Sequence, residues 1–344
     1  MSSILMVTDA WHPQINGVVR SLERTASELR KIGLRVEFLT PQDFRTLPCP
    51  TYPEIRLSLA HRGMVRRRIE ALNCEHLHIA TEGPLGLMAA SIARRDDRPF
   101  TTSYHTRFPE YVSARLPIPL SWSYSWLRRF HNAGQGCMVA TGTLETDLRT
   151  RGFKHLQRWS RGVDEALFQP YEGSALPADL PRPIFMNVGR VAVEKNIEAF
   201  LDLDLPGSKV VVGDGPQLDS LKRKYPDVYF TGAKVGEDLA RLYASADVFV
   251  FPSKTDTFGN VLLEALACGV PVAAYPVMGP LDVIGETGAG VLSEDLRQAC
   301  LDALDIPSDH CRKVALNYTW AASARQFLAN AEEACGRNGQ NQAA

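Results

Sequence analysis

The chain has 344 residues, of which 45% are hydrophobic and 22% charged, and its formal net charge is −1; these values suit a globular protein of two domains. No apolar run approaches the roughly 20 residues of a membrane span, and the N-terminus lacks the basic region of a signal peptide. The seven cysteines are odd in number and form no Cys-x-x-Cys pair, which excludes a disulfide framework or zinc site and indicates reduced thiols of a cytosolic protein.

The first elements alternate between strand and helix. We predict a strand at Ile4–Thr8, a helix at Val18–Ile32 that ends at Gly33, and a strand at Val36–Thr40. A βαβ order of this kind predicts a parallel sheet. The first loop, which contains Gly17, is not Gly-x-Gly-x-x-Gly, and this argues against a dinucleotide fingerprint.

Charge is distributed unevenly along the chain. Residues 1–170 hold 23 Lys and Arg against 16 Asp and Glu, a net of +7, and the remaining residues hold 15 against 23, a net of −8. A basic half predicts an anionic partner, either nucleic acid or a membrane surface. Within it, residues 62–72 predict a basic amphipathic helix that is either a solvated face or a membrane-surface helix; its clustered cations are Arg66, Arg67 and Arg68.

A second unusual segment of this half covers residues 116–130. It combines two tryptophans with two arginines, Trp122, Trp126, Arg128 and Arg129. Aromatic side chains flanked by arginine suit a membrane interface, although a core helix with a basic exposed face would have the same composition. Together with the basic helix, this segment favours a lipid surface as the anionic partner.

A histidine follows a predicted strand in the same half. Phe100–Tyr104 reads as a strand, and His105 comes directly after it, at the carboxyl end where sites gather in parallel sheets. A lone histidine is more often structural, but the neighbouring Thr106 and Arg107 favour a site. Further on, Thr143 is a plausible cap for a helix over residues 143–151.

The second half begins with a strand at Ile184–Val188, followed by a loop with Arg190 and Lys195. Two cations there can clamp a diphosphate and stabilise a leaving group, or they are merely surface charges. After the strands at 209–212 and 228–231 come Gly213 and Lys234. The glycine-rich turn at Gly213 is weak evidence for a site by itself.

The most informative stretch runs from a buried strand at 248–252 into a loop and an apolar helix that ends at Gly269. Asp256 lies in the loop, Gly259, Asn260 and Val261 lie at the helix start, and Glu264 lies inside the apolar helix. A buried carboxylate needs a partner, and a helix N-terminus attracts anions. A sugar nucleotide would satisfy both. Alternatively, Asp256 or Thr257 caps the helix and Glu264 forms a structural ion pair with a distant arginine.

Asp256-x7-Glu264, with Phe258-Gly259 and Ala267-Cys268-Gly269-Val270-Pro271, resembles the paired-acid motif of retaining GT-B glycosyltransferases of family 4. The resemblance covers nearly the whole chain and implies an α/β fold with two facing Rossmann-like, doubly wound domains and an interdomain cleft. It implies an acceptor-side domain at 1–168, a nucleotide-sugar domain at 169–317, a helix at 318–336 that crosses back, and a frayed tail at 337–344. Asp256 stands where the family usually has Glu.

The resemblance also implies roles for individual residues. Glu264 would hold the donor ribose, His105 and Asp256 would face the transferred sugar, and Arg190 and Lys195 would stabilise the diphosphate. The remaining donor contacts would come from Gly17, Gly213, Lys234, Gly259, Asn260 and Val261. No cofactor and no metal ion is implied. The segment that begins at Arg161 resembles the family's passage into the second domain.

We therefore expect a retaining glycosyltransferase of the cytoplasm, bound peripherally to the inner face of a membrane. It would transfer sugar from a donor such as UDP-glucose or UDP-glucuronate to a lipid, diacylglycerol, with no nucleic-acid partner. The alternative within the family is a GDP-mannose-dependent α-mannosyltransferase acting on a lipid or glycan. Outside it, a sugar-nucleotide epimerase can share the fold, and a DNA-binding protein is a distant option.

Overall fold

The structure is a computed structural model that describes residues 2–13, 17–49, 52–113 and 119–342. The chain forms two compact units. The first contains residues 1–161 and 320–344, and the second contains residues 162–319. Alternating strands and helices build both units, as the sequence pattern predicts.

The first unit is built on a six-stranded sheet in the order β2-β1-β5-β6-β7-β8, with every neighbouring pair parallel. A separate antiparallel ribbon pairs β3 with β4. The sequence did not indicate this ribbon, because Pro48 and Pro53 argue against strands. The strands are β1 (Ser3–Val7), β2 (Arg35–Leu39), β3 (Thr46–Cys49), β4 (Tyr52–Ser58), β5 (His76–Ile79), β6 (Thr101–Tyr104), β7 (Gly136–Val139) and β8 (Leu156–Arg158).

The described part of the first 161 residues forms six α-helices. They are α1 (Gly17–Lys31), α2 (Arg62–Leu72), α3 (Pro84–Arg95), α4 (Phe108–Ser113), α5 (Leu120–His131) and α6 (Gly142–Thr150). The cap of α6 is Thr141, whose hydroxyl accepts a hydrogen bond from the Leu144 amide at 3.3 Å. The prediction that Thr143 caps this helix is wrong, because the helix begins before it.

The second unit has its own parallel sheet, in the order β11-β10-β9-β12-β13-β14. Strand order reverses between β9 and β12, which are hydrogen-bonded neighbours. In open parallel sheets, ligands bind outside the carboxyl ends of the strands at such a switch point. The strands are β9 (Ile184–Val188), β10 (Ser208–Val212), β11 (Tyr229–Gly232), β12 (Val248–Phe251), β13 (Val272–Ala274) and β14 (Gly290–Leu292).

The helices of the second unit are α7 (Glu198–Leu201), α8 (Leu218–Lys224), α9 (Gly236–Ala244), α10 (Asn260–Ala267), α11 (Pro280–Val283), α12 (Leu296–Asp302) and α13 (Ser308–Ala315). The last helix, α14 (Trp320–Gln342), belongs to the first unit and packs against α1. Its Phe327 is fully buried against Trp159, with ring centroids 4.9 Å apart. The predicted pair of Rossmann-like parallel sheets is therefore confirmed.

Candidate active site

The switch point of the second sheet brings two predicted residues together. Lys195 lies in the loop after β9 and Asp256 in the loop after β12, and Lys195 Nζ is 2.6 Å from Asp256 Oδ1. Two further hydrogen bonds join these loops, from Asn196 Nδ2 to the Pro252 carbonyl at 3.0 Å and from Thr255 Oγ1 to the Glu194 carbonyl at 3.3 Å. The other Asp256 oxygen, Oδ2, is buried and has no hydrogen-bond partner within the described part of the chain. It can therefore accept from a ligand.

The start of α10 follows directly after this loop. Its N-cap is Gly259, at φ 82°, and no side chain caps the helix. The alternative in which Asp256 or Thr257 caps it is therefore wrong. A glycine suits the position because φ is positive and because a Cβ would lie 3.2 Å from both Leu262 and Phe251. Asn260 and Val261 are half-buried in the first turn, at the positive end of the helix dipole.

Glu264 is buried within α10, with 8% of its surface exposed. The hydroxyl of Tyr243, on α9, donates to Glu264 Oε2 at 3.0 Å. Because Tyr243 is fully buried, this bond fixes the orientation of the carboxylate. The sequence analysis did not find Tyr243, since nothing in the α9 pattern distinguishes it from a core aromatic residue.

The other donor-side residues lie at the carboxyl ends of β9, β10 and β11. Arg190 is half-buried after β9. Gly213 packs so closely on the neighbouring loop that a Cβ would lie 1.8 Å from the Gly189 carbonyl oxygen. Lys234 is exposed in the loop after β11, the edge strand. Within the described residues, no hydrogen bond or ion pair joins Lys234 to Asp256.

In the first unit, His105 follows β6 as predicted. Its Nδ1 is 3.2 Å from Nη2 of Arg161, and its ring packs edge-to-face on Trp159. Burial lowers the pKa of His105 well below its ordinary value, and the positive charges of Arg161 and of the nearby His131 lower it further. The imidazole is therefore neutral and can act as a hydrogen-bond donor. The sequence analysis missed this role of Arg161.

Gly17 is the exposed first residue of α1, and the preceding Asn16 lies outside the described residues. At the switch point of this sheet, between β1 and β5, lies the half-buried Asp9, which the sequence analysis did not single out. Its carboxylate caps the start of α3. Asp9 accepts from the amides of Leu85 and Gly86 at 2.8 and 3.2 Å and from the Thr81 hydroxyl at 3.0 Å. These bonds hold the loops after β1 and β5 together.

The basic cluster on α2 is largely neutralised. Arg66 pairs with Asp96 at 2.7 Å and Arg68 with Asp43 at 2.9 Å. Arg67 donates to the Gly63 carbonyl of its own helix at 3.3 Å. These contacts favour a solvated face for α2.

The aromatic helix α5 differs from α2. Its Tyr124, Leu127 and Phe130 are buried, whereas Trp122 and Trp126 are 73% and 42% exposed. Both tryptophans line a surface groove of about 840 Å³, which we call the α5 groove; its other lining residues are Arg94, Ser125, Arg128, Arg129, Asn132 and Ala133. Across the described residues, no helix has the length and apolar character needed to cross a bilayer.

Comparison with known proteins identifies the family. Residues 15–167 match the family model of glycosyltransferase family 4, and residues 182–305 match that of glycosyl transferases group 1. A GDP-mannose-dependent alpha-mannosyltransferase of Mycobacterium tuberculosis is 30% identical over 318 residues, which cover 84% of this chain and 83% of that protein. The chain belongs to glycosyltransferase family 4. This enzyme therefore uses a nucleotide sugar as donor.

Two other relatives are named for a sugar that they transfer or a glycolipid that they make. The sulfoquinovosyl transferase SQD2 of Arabidopsis thaliana is 30% identical over 307 residues, or 80% of this chain. This family 4 enzyme spans only 60% of the length of that relative. An alpha-monoglucosyldiacylglycerol synthase of Streptococcus pneumoniae is 27% identical, with 94% of this chain and 82% of the relative covered.

Solved structures of low sequence identity share the fold of this family 4 enzyme. Sucrose-phosphate synthase from Thermosynechococcus elongatus superposes with a TM-score of 0.75 at 21% identity, covering 95% of this chain and 97% of that one. HepE of Anabaena, solved with UDP-glucose, superposes with a TM-score of 0.73 at 15% identity, covering 97% of this chain and 100% of that one. These likenesses confirm the predicted GT-B fold.

Proposed function

We propose that this family 4 enzyme transfers a hexose from a UDP-sugar of the UDP-glucose or UDP-glucuronate type to diacylglycerol, with retention of anomeric configuration. One observation supports the use of a nucleotide-sugar donor. At the switch point of the second sheet, Lys195 Nζ and Asp256 Oδ1 form an ion pair at 2.6 Å. It places a cation suited to a diphosphate next to a carboxylate suited to sugar hydroxyls.

On the donor side, each group has a separate task. The Glu264 carboxylate, held by Tyr243 at 3.0 Å, accepts hydrogen bonds from the ribose hydroxyls. Lys195 and Arg190 meet the negative charge that grows on the departing diphosphate, and the first turn of α10 adds its N–H groups. These cations let the diphosphate leave without a bound metal ion. Gly17, Gly213 and Lys234 complete the nucleotide contacts.

The sugar is oriented by two groups of different chemistry. Asp256 accepts hydrogen bonds from sugar hydroxyls through Oδ2, which is buried and has no hydrogen-bond partner in the described chain. His105 is neutral, because its pKa is lowered by burial and by Arg161, and it therefore donates rather than acting as a cation.

Retention follows from attack on the face that the diphosphate leaves. The bond from the anomeric carbon to the diphosphate oxygen breaks while the acceptor oxygen bonds to the same face of that carbon. The proton of the acceptor hydroxyl passes to the departing diphosphate oxygen. Lys195 and Arg190 stabilise the charge that develops before this proton arrives.

A membrane surface is the proposed source of the acceptor, and we assign the contact to α5. Trp122 and Trp126 are exposed, and indole rings favour the headgroup level of a bilayer. Arg94, Arg128 and Arg129 line the same groove, and none of its lining residues is acidic. The name of the Streptococcus relative, which includes a glucosyldiacylglycerol, supports a glycolipid product. The enzyme would then act at the cytoplasmic face as a peripheral protein.

A second candidate differs in donor. The Mycobacterium tuberculosis relative, named as GDP-mannose-dependent, is matched over 83% of its length, more than the 60% of the sulfoquinovosyl transferase. This favours GDP-mannose as the alternative donor, with a lipid or a glycan as acceptor.

The test is turnover with UDP-glucose, UDP-glucuronate, UDP-galactose and GDP-mannose, each with diacylglycerol in vesicles that contain an anionic phospholipid. Products are resolved by mass, and Lys195→Ala is the inactive control. A glycosyl-diacylglycerol from a UDP-sugar supports the proposal, with an α-anomeric product as the test of retention. Product from GDP-mannose alone supports the second candidate. Donor hydrolysis without lipid product contradicts the acceptor assignment, and epimerised donor without transfer contradicts a transferase reaction with these substrates.

A further inference from the structure

The segment that follows β8 is held in place by the last helix of the chain. Trp159 Nε1 donates to Ser323 Oγ at 3.1 Å, and Ser323 Oγ donates in turn to the Ser160 carbonyl at 2.7 Å. The Ser160 amide donates to Gln326 Oε1 at 2.8 Å. These three hydrogen bonds with α14 therefore fix the Trp159 side chain and the Ser160 backbone, immediately before Arg161.

Arg161 is 4% exposed, and its guanidinium is well anchored. Nη1 donates to the Trp159 carbonyl at 2.8 Å, and the guanidinium carbon lies 4.1 Å from the centroid of the Trp159 ring. No carboxylate of the described residues pairs with it, and burial alone accounts for the lowered pKa of Arg161. The position of Nη2, beside His105 Nδ1, is therefore set by backbone and aromatic contacts and not by a flexible ion pair.

This contact restricts the protonation of His105. An arginine has only N–H donors, so Nδ1 at 3.2 Å from Nη2 must accept the hydrogen bond. A neutral imidazole that accepts at Nδ1 carries its proton on Nε2. Nε2 is shielded from bulk solvent. In such a buried position, a hydrogen bond to a bound ligand is electrostatically stronger than in water.

We propose that Arg161 is a positioning residue that holds His105 as the neutral Nε2–H tautomer, so that the ring meets the transferred sugar as a hydrogen-bond donor through Nε2. This inference rests on the proposed role of His105 in contacting the sugar. Arg161 lies outside the loop after β6 that carries His105, and Nε2 is the atom of His105 that contacts the sugar.

The surroundings of His105 maintain the neutral state. Burial lowers its pKa most, and the positive charges of Arg161 and of His131, on α5, lower it further. His78 is itself neutral, because burial lowers its pKa to about 3. For His131, burial lowers the pKa, but Cys137 and Glu82 more than offset this and raise it to about 10. The positive charges near His105 therefore come from Arg161 and His131, and both oppose an imidazolium.

The first experiment reads the tautomer directly. Two-bond ¹H–¹⁵N correlation spectra of histidine-labelled enzyme distinguish Nε2–H, Nδ1–H and imidazolium rings, and a His105→Gln variant identifies the signals of His105. We expect the Nε2–H pattern across the neutral pH range. An Nδ1–H or imidazolium pattern in the wild-type enzyme overturns the inference.

The second experiment links the tautomer to turnover. Arg161→Met removes the donor while keeping an unbranched side chain of similar length. We expect mixed tautomers, a higher His105 pKa and a kcat lower by about 10- to 100-fold, as is usual when an orienting partner is lost. Arg161→Lys, which keeps a cationic donor, should restore part of the Nε2–H population and part of kcat. Arg158→Met, at an exposed arginine in the neighbouring β8, is the matched control and should change neither.

The outcomes separate this inference from the proposed function. Mixed tautomers in Arg161→Met with unchanged kcat overturn the positioning role of Arg161. An unchanged kcat/KM in His105→Gln overturns the proposed sugar contact, whatever the tautomer. If Arg161→Met does not fold, the wild-type spectrum and the Arg161→Lys variant still decide whether Arg161 sets the tautomer.

Discussion

Lys195 and Asp256 form an ion pair at 2.6 Å although they are 61 residues apart in the chain. The reason is topological: β9 and β12 are hydrogen-bonded neighbours, so the loops at their carboxyl ends meet. Both side chains are mostly covered, at 27% and 19% exposure. The pair therefore holds a cation and a carboxylate in a partly desolvated position.

Removing the Lys195 ammonium should affect turnover far more than folding. We expect Lys195→Ala to lower kcat by about 100- to 1,000-fold, because a fixed charge that stabilises a leaving group acts mainly in the transition state. Steady-state kinetics with saturating donor measures this. Lys254→Ala is the matched control, since Lys254 is exposed in the same loop as Asp256 and packs on Tyr275. Near-normal turnover in Lys195→Ala would show that the diphosphate clamp is wrong.

We expect that loss of the hydrogen bond from Tyr243 to Glu264 weakens binding of the donor nucleotide. Tyr243→Phe removes one hydrogen bond to a buried carboxylate, so we expect UDP to bind about 5- to 10-fold more weakly, and Glu264→Ala to bind it about 10- to 100-fold more weakly. Calorimetric titration with UDP measures both. Tyr225→Phe is matched in chemistry, because its hydroxyl also bonds a carboxylate, Asp202, at 2.5 Å on an exposed surface. Unchanged UDP affinity in Glu264→Ala contradicts the ribose role.

The sequence predicted most elements because their signals are local. The strand at 248–251 and the buried helix that follows could be read from apolar runs and a terminal glycine. The contact between Arg161 and His105 could not, because it joins residues 56 apart through the packing of α14. The ribbon of β3 and β4 also escaped, since its prolines contradict the usual strand pattern.

Alanine substitutions at two glycines with positive φ distinguish the stability cost of backbone strain from that of close packing. A Cβ added at Gly173, where φ is 79°, would have no atom within 4 Å, whereas a Cβ at Gly213 would lie 1.8 Å from the Gly189 carbonyl oxygen. We expect Gly173→Ala to lower the free energy of unfolding by about 1–2 kcal/mol from strain alone. Gly213→Ala should cost about 3 kcal/mol or more, because the loops after β9 and β10 must separate. Urea denaturation measures both, and equal losses would contradict the packing argument.

The proposed membrane contact through α5 can be tested against the alternative through α2. Replacing Arg94, Arg128 and Arg129 together by Ala should weaken binding to anionic phospholipid vesicles by about 100-fold, at about 1 kcal/mol per arginine near the surface. The double variant Trp122→Ala and Trp126→Ala should weaken it further at high salt, where charge is screened and the indole contact dominates.

The matched control for α5 is the pair Arg66→Ala and Arg68→Ala. Those arginines already pair with Asp96 and Asp43, so each substitution also releases a carboxylate, and exposed ion pairs contribute little to stability. We expect this control to keep most of the vesicle affinity in a flotation assay. A loss equal to that of the α5 variant would move the contact to α2, because the ion pairs would then have to open at the membrane. A salt-sensitive association with duplex DNA but not with vesicles would instead assign the basic surface to nucleic acid.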